Sequence, residues 1–330
     1  MYTQVIELDD AGRYRLYCRL RHTTNFELNV KRPALLFVPG GGFMFSDPND
    51  QEAMVYKFMS YDYHVFTYTY AAGPDYRFPD VIIYLSRALK LIRDNAEKWN
   101  IDPQKIAVGG CSAGAHITAA LGGLWNRKMI QEPANCTGDE NRPNLMLLCY
   151  GPLYCNQRTD DGLLFVPVGD LAGAHTPPAF VAHCADDTSV PVDQSLAYAA
   201  ALCRAGVPLS VFISSNGDHG GLQNVKPLIN KKNQLTVAID DWFPAFLKFA
   251  ENVFGSSPVP ANVPEMLPPE MLPEGQRPEN FAAPGGPDSL PPMPMEPAVD
   301  ANGNIMGTFA AGLKLGFNGR GDETFDNILR

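Results

Sequence analysis

The sequence predicts an α/β protein built on a mostly parallel central sheet with helices on both faces. Short apolar runs that read as strands buried on both sides alternate along the chain with longer segments whose apolar residues recur at helical spacing. The ends of those strands run into glycine-rich or acidic segments, as strand-to-helix connections do, and right-handed crossovers would join them. At 330 residues and 45% hydrophobic content there is ample material for a sizeable core.

The elements follow in order. Residues 2–9 and 13–20 alternate apolar and polar around Ala11-Gly12, which predicts an antiparallel hairpin at the sheet edge. Ala34 to Val38 is a continuous apolar strand ending in Pro39-Gly40-Gly41-Gly42-Phe43, where three glycines leave backbone N–H groups uncovered by side chains. A strand is expected from His64 to Tyr70, with helical stretches around it. From Pro79 to Lys98 the residues Val81, Ile82, Leu85, Ala88, Leu89 and Ile92 recur at helical spacing, and the helix closes near Asn100. Lys105 to Gly109 is the next strand, followed by a helix from Ala113 to about Leu124. Residues 126–143, with Pro133, Asn135, Gly138, Asn141 and Pro143, read as a surface excursion before a strand from Leu145 to Tyr150. Ala179 to Cys184 is another buried strand, and Asp193 is expected to N-cap a helix through Arg204 that stops at Gly206. Pro208 to Ser214 forms the last strand, and a closing amphipathic helix runs from about Gln234 to Phe254.

This organisation divides the chain into an α/β domain, 1–255, and an extension, 256–330. Thirteen prolines fall between Pro258 and Pro297, and Pro264-Glu-Met-Leu-Pro268 repeats at once as Pro269-Glu-Met-Leu-Pro273. Such a segment cannot build a helix or sheet core. Two readings stand: an extended or disordered tail of polyproline character, or a strap that wraps its own domain or a second subunit in a homo-oligomer. Met266, Leu267, Met271, Leu272, Met293 and Met295 speak for the second, and residues 308–317 could add a short ordered element.

A formal charge of -10, with no Lys/Arg cluster to make a basic face, excludes nucleic acid as a partner. Residues 1–10 lack a basic stretch followed by an apolar one, and no run of about eighteen apolar residues occurs, so a cytoplasmic protein without membrane association is expected. Seven dispersed cysteines (18, 111, 136, 149, 155, 184, 203), without CxxC or metal-like spacing, read as reduced core residues.

The chemistry centres on Val108-Gly109-Gly110-Cys111-Ser112-Ala113-Gly114, a buried strand running straight into a helix with serine at the bend. Gly110 and Gly114 flank Ser112 in a GxSxG pattern, which lets neighbouring backbone approach a strained serine closely. A serine hydroxyl is a poor nucleophile at neutral pH and needs a base, a carboxylate to orient that base, and donors for an oxyanion. His219, in the loop Gly217 to Gly221 after the last strand, is the one histidine of six placed to swing over the serine. His22 and His64 precede the elbow, His116 would pack within its helix, His175 precedes a strand, and His183 would be core. Asp186 and Asp187 both follow a strand end and compete as the carboxylate. The oxyanion donors would be the N–H groups of Gly41, Gly42 and Ala113. Phe43, Met44 and Phe45 would either wall an acyl pocket or pack the glycine loop.

Taken together these residues resemble the α/β-hydrolase fold esterases of the hormone-sensitive-lipase and feruloyl/acetylxylan-esterase-like group. The resemblance rests on Pro39-Gly-Gly-Gly-Phe43, Tyr76-Arg-Phe-Pro79, Gly110-Cys-Ser-Ala-Gly114-Ala-His116, Thr176-Pro-Pro178, His183-Cys-Ala-Asp-Asp187-Thr-Ser-Val-Pro191 and Gly217-Asp-His-Gly220, spanning roughly residues 30–250. Its spacing favours Asp187 over Asp186. It implies a serine esterase that works through an acyl-enzyme without metal or organic cofactor, on a small-molecule or oligosaccharide ester, with acetyl groups on plant cell-wall oligosaccharides as the expected substrate. Pro39 stands where the group has the histidine of its HGGG, removing a side chain that often buttresses the loop. Cys184 stands where a glycine is usual. A serine peptidase of prolyl-oligopeptidase type shares the order Ser, Asp, His but needs a large gating domain. A non-catalytic binding module acting through its tail would have no reason to keep all the parts.

Overall fold

The first two strands, β1 (Tyr2–Glu7) and β2 (Arg15–Leu20), pair antiparallel with Tyr2 opposite Leu20 and Glu7 opposite Arg15. In β2, Leu16, Cys18 and Leu20 are buried while Arg15, Tyr17 and Arg19 are only partly covered, the alternation of a strand with one face on the core. The remaining strands are β3 (Arg32–Val38), β4 (His64–Thr69), β5 (Ile101–Cys111), β6 (Leu145–Cys149), β7 (Ala179–Cys184) and β8 (Leu209–Ser214). They complete one eight-stranded sheet in the order β1-β2-β4-β3-β5-β6-β7-β8, parallel from β4 to β8. This computed structural model describes residues 2–22, 31–154, 166–230 and 232–255, all inside the compact unit Met1–Val263. The proline-rich extension over 256–330, its suggested role in self-association, and Cys155 lie outside the described residues.

Among the described residues six helices flank the sheet: α1 (Glu52–Ser60), α2 (Asp80–Asp94), α3 (Ala113–Leu124), α4 (Lys128–Ala134), α5 (Asp193–Arg204) and, after β8, α6 (Ile239–Phe254). The crossover through α1 places β4 on one side of β3, and the crossover through α2 returns β5 to the other side. Strand order therefore reverses at β3, and in open parallel sheets that reversal opens a crevice at the carboxyl ends of the strands.

One face of the sheet is covered by α1 and α6. Met54, Val55 and Phe58 join Trp242, Phe243, Phe246 and Ala250 over Leu35, Phe37, Ala107, Leu147 and Phe180. Phe58 and Phe243 meet edge to face at 4.9 Å, and burial of each such ring contributes about 1.5–3 kcal/mol. On the other face α3 lies so close to β6 that a side chain at Gly122 would collide with the sulfur of Met146. Among the described residues no helix is long and apolar enough to cross a membrane.

Four local expectations are corrected. The excursion at 126–143 contains α4, which the sequence hid because it is one short helix with Pro133 inside it and only Ile130 and Ala134 buried. The last helix begins at Ile239 and not Gln234, because Thr236 N–H turns back to Leu228 O (2.7 Å) and Asp241 accepts the Ala238 N–H (2.7 Å) at the true start. Asp193 is the first residue of α5 and not its N-cap; Val192 holds that position, and the aspartate acts on the positive helix end by charge alone. Cys203 is exposed, whereas Cys18, Cys111, Cys136, Cys149 and Cys184 are buried free thiols as expected.

Candidate active site

The carboxyl ends of β3, β5, β6, β7 and β8 carry the groups that meet in the crevice. Ser112 follows β5 directly and has φ 53° and ψ −122°, a conformation that costs a non-glycine residue roughly 1–3 kcal/mol. Its N–H donates to Cys149 O across the sheet (2.9 Å), and the carbonyl of the same residue accepts from Ala115 at the start of α3 (3.0 Å). The flanking glycines are required by space. A Cβ on Gly110 would lie 2.3 Å from the carbonyl of Gly114, and one on Gly114 would lie 2.0 Å from Val38 O. The bend therefore closes only because helix, strand and the end of β3 touch backbone to backbone.

His219 comes to this bend from the loop after β8. Asp186 Oδ1 accepts the Asp218 N–H (2.9 Å), and Asp218 Oδ1 accepts both the N–H (2.9 Å) and the hydroxyl (2.8 Å) of Thr188. These bonds staple the loop after β7 to the loop after β8, and those to Thr188 lower the pKa of Asp218. Asp186, the competing carboxylate, is thus a staple and not the partner of His219. The His219 ring has Nε2 2.9 Å from Ser112 Oγ and Nδ1 2.8 Å from Asp187 Oδ2. Since a carboxylate only accepts, Nδ1 carries the proton, and Nε2 is the acceptor of the serine hydroxyl. The buried Tyr150, at the end of β6, stands edge to face against this ring at 4.9 Å, its hydroxyl accepting from Gln223.

The Asp187 side chain is wholly buried. Burial alone would raise its pKa, but hydrogen bonds from His183, His219 and the Val190 N–H override that and hold the carboxyl well below the ordinary carboxylate range. Oδ1 accepts the N–H groups of Ser189 (2.9 Å) and Val190 (2.8 Å). His183 is core, as its strand pattern predicts, yet its Nε2 lies 3.1 Å from Asp187 Oδ2 and its Nδ1 2.7 Å from Ser195 Oγ.

The glycine loop packs against the serine from the end of β3, where a Cβ on Gly40 would come within 3.3 Å of Ser112 Cβ. The Gly40 peptide is clamped on both sides: Tyr70 donates to its carbonyl (3.1 Å) and the buried Gln51 accepts its N–H (3.4 Å). Here two residues outside the motif brace the loop in a chain that has Pro39 in place of histidine. Among hydrogen bonds between described residues, none uses the N–H of Gly41, Gly42 or Ala113. Phe43 is buried, edge to face with Tyr76 (5.2 Å) and His116 (5.3 Å), so it packs the loop. Burial pushes His116 down to about 4, and its Nδ1 donates to Pro152 O (2.8 Å). Met44 and Phe45 are exposed on the loop surface, with the Phe45 ring lying over Gly41.

Sequence reasoning missed Tyr150, Gln223, Tyr70, Gln51 and the bond from His183 to Asp187. Only the last left a signal, a histidine four residues before the aspartate at a strand end.

The BD-FAE family model matches residues 24–153. Endo-1,4-beta-xylanase B of Butyrivibrio fibrisolvens is 28% identical over 65% of this chain and 34% of its own length. The acetylxylan esterase of Xylanibacter ruminicola is 26% identical over 65% of this chain and 45% of its own. The chain thus spans less than half the length of these two relatives. Among solved structures, MGS-M1, an alpha/beta hydrolase enzyme from a Medee basin deep-sea metagenome library, superimposes with a TM-score of 0.62 at 27% identity, covering 77% of this chain and 98% of that one. An acetyl ester-xyloside bifunctional hydrolase from Caldicellulosiruptor lactoaceticus gives 0.62 at 25% identity, covering 76% and 96%.

Proposed function

We propose that this chain, an α/β-hydrolase-fold member of the hormone-sensitive-lipase and feruloyl/acetylxylan-esterase-like group, is a serine carboxylic-ester hydrolase that removes short acyl groups from plant cell-wall oligosaccharides. The single observation that carries the reading is the contact of His219 Nε2 with Ser112 Oγ at 2.9 Å, with Asp187 at 2.8 Å behind the ring.

In this reading Ser112 Oγ attacks the ester carbonyl while His219 Nε2 takes its proton, and the Nδ1–H bond to Asp187 stabilises the imidazolium that forms. The tetrahedral oxyanion is held by the N–H groups of Gly41, Gly42 and Ala113, donors with no hydrogen-bond partner among the described residues; each such bond typically supplies about 3–4 kcal/mol in the transition state. Collapse breaks the bond to the sugar oxygen, which leaves with the proton from His219. Water then attacks the acyl-serine with His219 as base, releasing the acid and restoring the serine.

Acetyl as the acyl group and a xylan-derived oligosaccharide as the alcohol are supported by the similarity to an acetylxylan esterase and to an acetyl ester-xyloside hydrolase. Met44 and Phe45, exposed beside the glycine loop, are assigned to contact the sugar or acyl portion. The test compares p-nitrophenyl acetate, a peptide amide and acetylated xylo-oligosaccharides. Acetate release from the first and last with no amide cleavage is expected; amide cleavage, or no release from either ester, would reject the reading.

A further inference from the structure

We propose that His183, oriented by Ser195, is a positioning residue for the reaction: it holds the Asp187 carboxylate in the plane that His219 needs. The inference rests on the serine-esterase reading above and extends its hydrogen-bond chain inward by two residues.

The donors around Asp187 are divided unevenly. Oδ1 is held by two backbone N–H groups of the tight turn at Ser189 and Val190, whereas among the described residues Oδ2 is held by side chains, His219 Nδ1 at 2.8 Å and His183 Nε2 at 3.1 Å. His219 has to carry a proton from the serine to the leaving oxygen, so it cannot also be the fixed support of its own partner. His183 can be that support. It lies on β7, which is paired on both sides by β6 and β8, and is fully buried, as is Ser195 on α5. Groups held by rigid elements and by their own hydrogen bonds keep an acceptor aligned at no cost during the reaction.

The protonation pattern of His183 follows from its neighbours. Nε2 faces two oxygens, Asp187 Oδ2 and Val190 O at 2.9 Å, so it bears a proton. Nδ1 is paired with the Ser195 hydroxyl at 2.7 Å. The ring therefore presents an N–H to the Asp187 carboxylate while the Ser195 hydroxyl fixes its other nitrogen.

The experiment measures kcat and KM for p-nitrophenyl acetate and the rate at which an organophosphonate labels the protein, in the full chain and in His183→Phe, His183→Gln and Ser195→Ala. Phenylalanine fills the space without a donor, whereas glutamine offers an amide N–H near the position of Nε2. We expect His183→Phe to lower kcat and the labelling rate by about 10- to 100-fold, the loss of one hydrogen bond to a charged group, with KM changed by less than about twofold. His183→Gln should recover about tenfold of that loss, and Ser195→Ala should fall between wild type and His183→Phe. Native kcat and labelling rate in folded His183→Phe would overturn the proposal. Should that variant not fold, native kcat and labelling rate in folded Ser195→Ala would overturn it. Ser112→Ala, run in parallel, separates the two levels: if it still turns over, the serine-esterase reading fails first.

Discussion

The Ser112 hydroxyl and the His219 ring, 107 residues apart in the chain, meet at 2.9 Å because two loops stapled by Asp186 and Asp218 deliver the ring to a bend that only glycine neighbours permit. Replacing either partner leaves the surrounding backbone contacts intact. Ser112→Ala and His219→Ala are each expected to lower kcat on p-nitrophenyl acetate by about 10⁴-fold or more, with residual turnover from binding and the oxyanion donors. Circular dichroism should show both variants folded, and near-native turnover in either would remove it from the mechanism.

Asp187→Asn tests the role of the carboxylate in two ways. An amide can present its NH₂ to Nδ1, which moves the His219 proton to Nε2 and leaves no acceptor for the serine; kcat should fall by about 10⁴-fold. The acid side of the stability profile gives the second readout. The Asp187 pKa is lowered from 3.8 in the fold, so its stabilisation is fully present above that ordinary value and is lost as pH falls through the lower folded one. The Tm difference between wild type and Asp187→Asn should therefore stay constant from pH 7 to about pH 5 and shrink only below about pH 4. A difference already shrinking at pH 6 would mean that the carboxylate is not held ionised by its donors.

Gly114→Ala places a methyl group 2.0 Å from Val38 O, between two backbones that cannot move apart without opening the elbow. Overpacking of this kind costs about 1–3 kcal/mol or more. Urea denaturation should show that loss, and specific activity should fall along with it. A variant as stable and as active as wild type would show that α3 can shift away from β3 freely.

Met44 and Phe45 are exposed beside the glycine loop, and in the proposed function they are assigned to the substrate. If they meet the sugar, Met44→Ala and Phe45→Ala should raise KM for acetylated xylo-oligosaccharides severalfold while leaving kcat on p-nitrophenyl acetate, which has no sugar, nearly unchanged. Equal effects on both substrates would instead assign them to packing of the loop.

Much of this arrangement was legible in the sequence because it depends on local pattern. The buried strands, the GxSxG bend and the triple glycine each leave a short signature, and the last strand's glycine-rich loop singled out His219. Choosing Asp187 over Asp186 needed the spacing of the esterase group, since two adjacent acids at a strand end look alike until one is buried and the other faces the Asp218 N–H. What was not legible comes from contacts distant in the chain. Tyr70 and Gln51 converge on Gly40 from two separate elements, and Tyr150 faces His219 only because β6 lies beside β5 in the sheet. The start of α6 was misplaced for the same reason, since residues 234–238 carry helical periodicity but are held by Leu228 and Asn216.

The identity of the nucleophile is tested most directly by reacting the protein with a p-nitrophenyl phosphonate and locating the adduct by peptide mass spectrometry. One adduct per chain on Ser112, formed in step with the loss of p-nitrophenyl acetate hydrolysis and absent from Ser112→Ala, is the expected result. An adduct on any other residue accompanying that loss, or ester hydrolysis that persists once Ser112 is fully labelled, would contradict it.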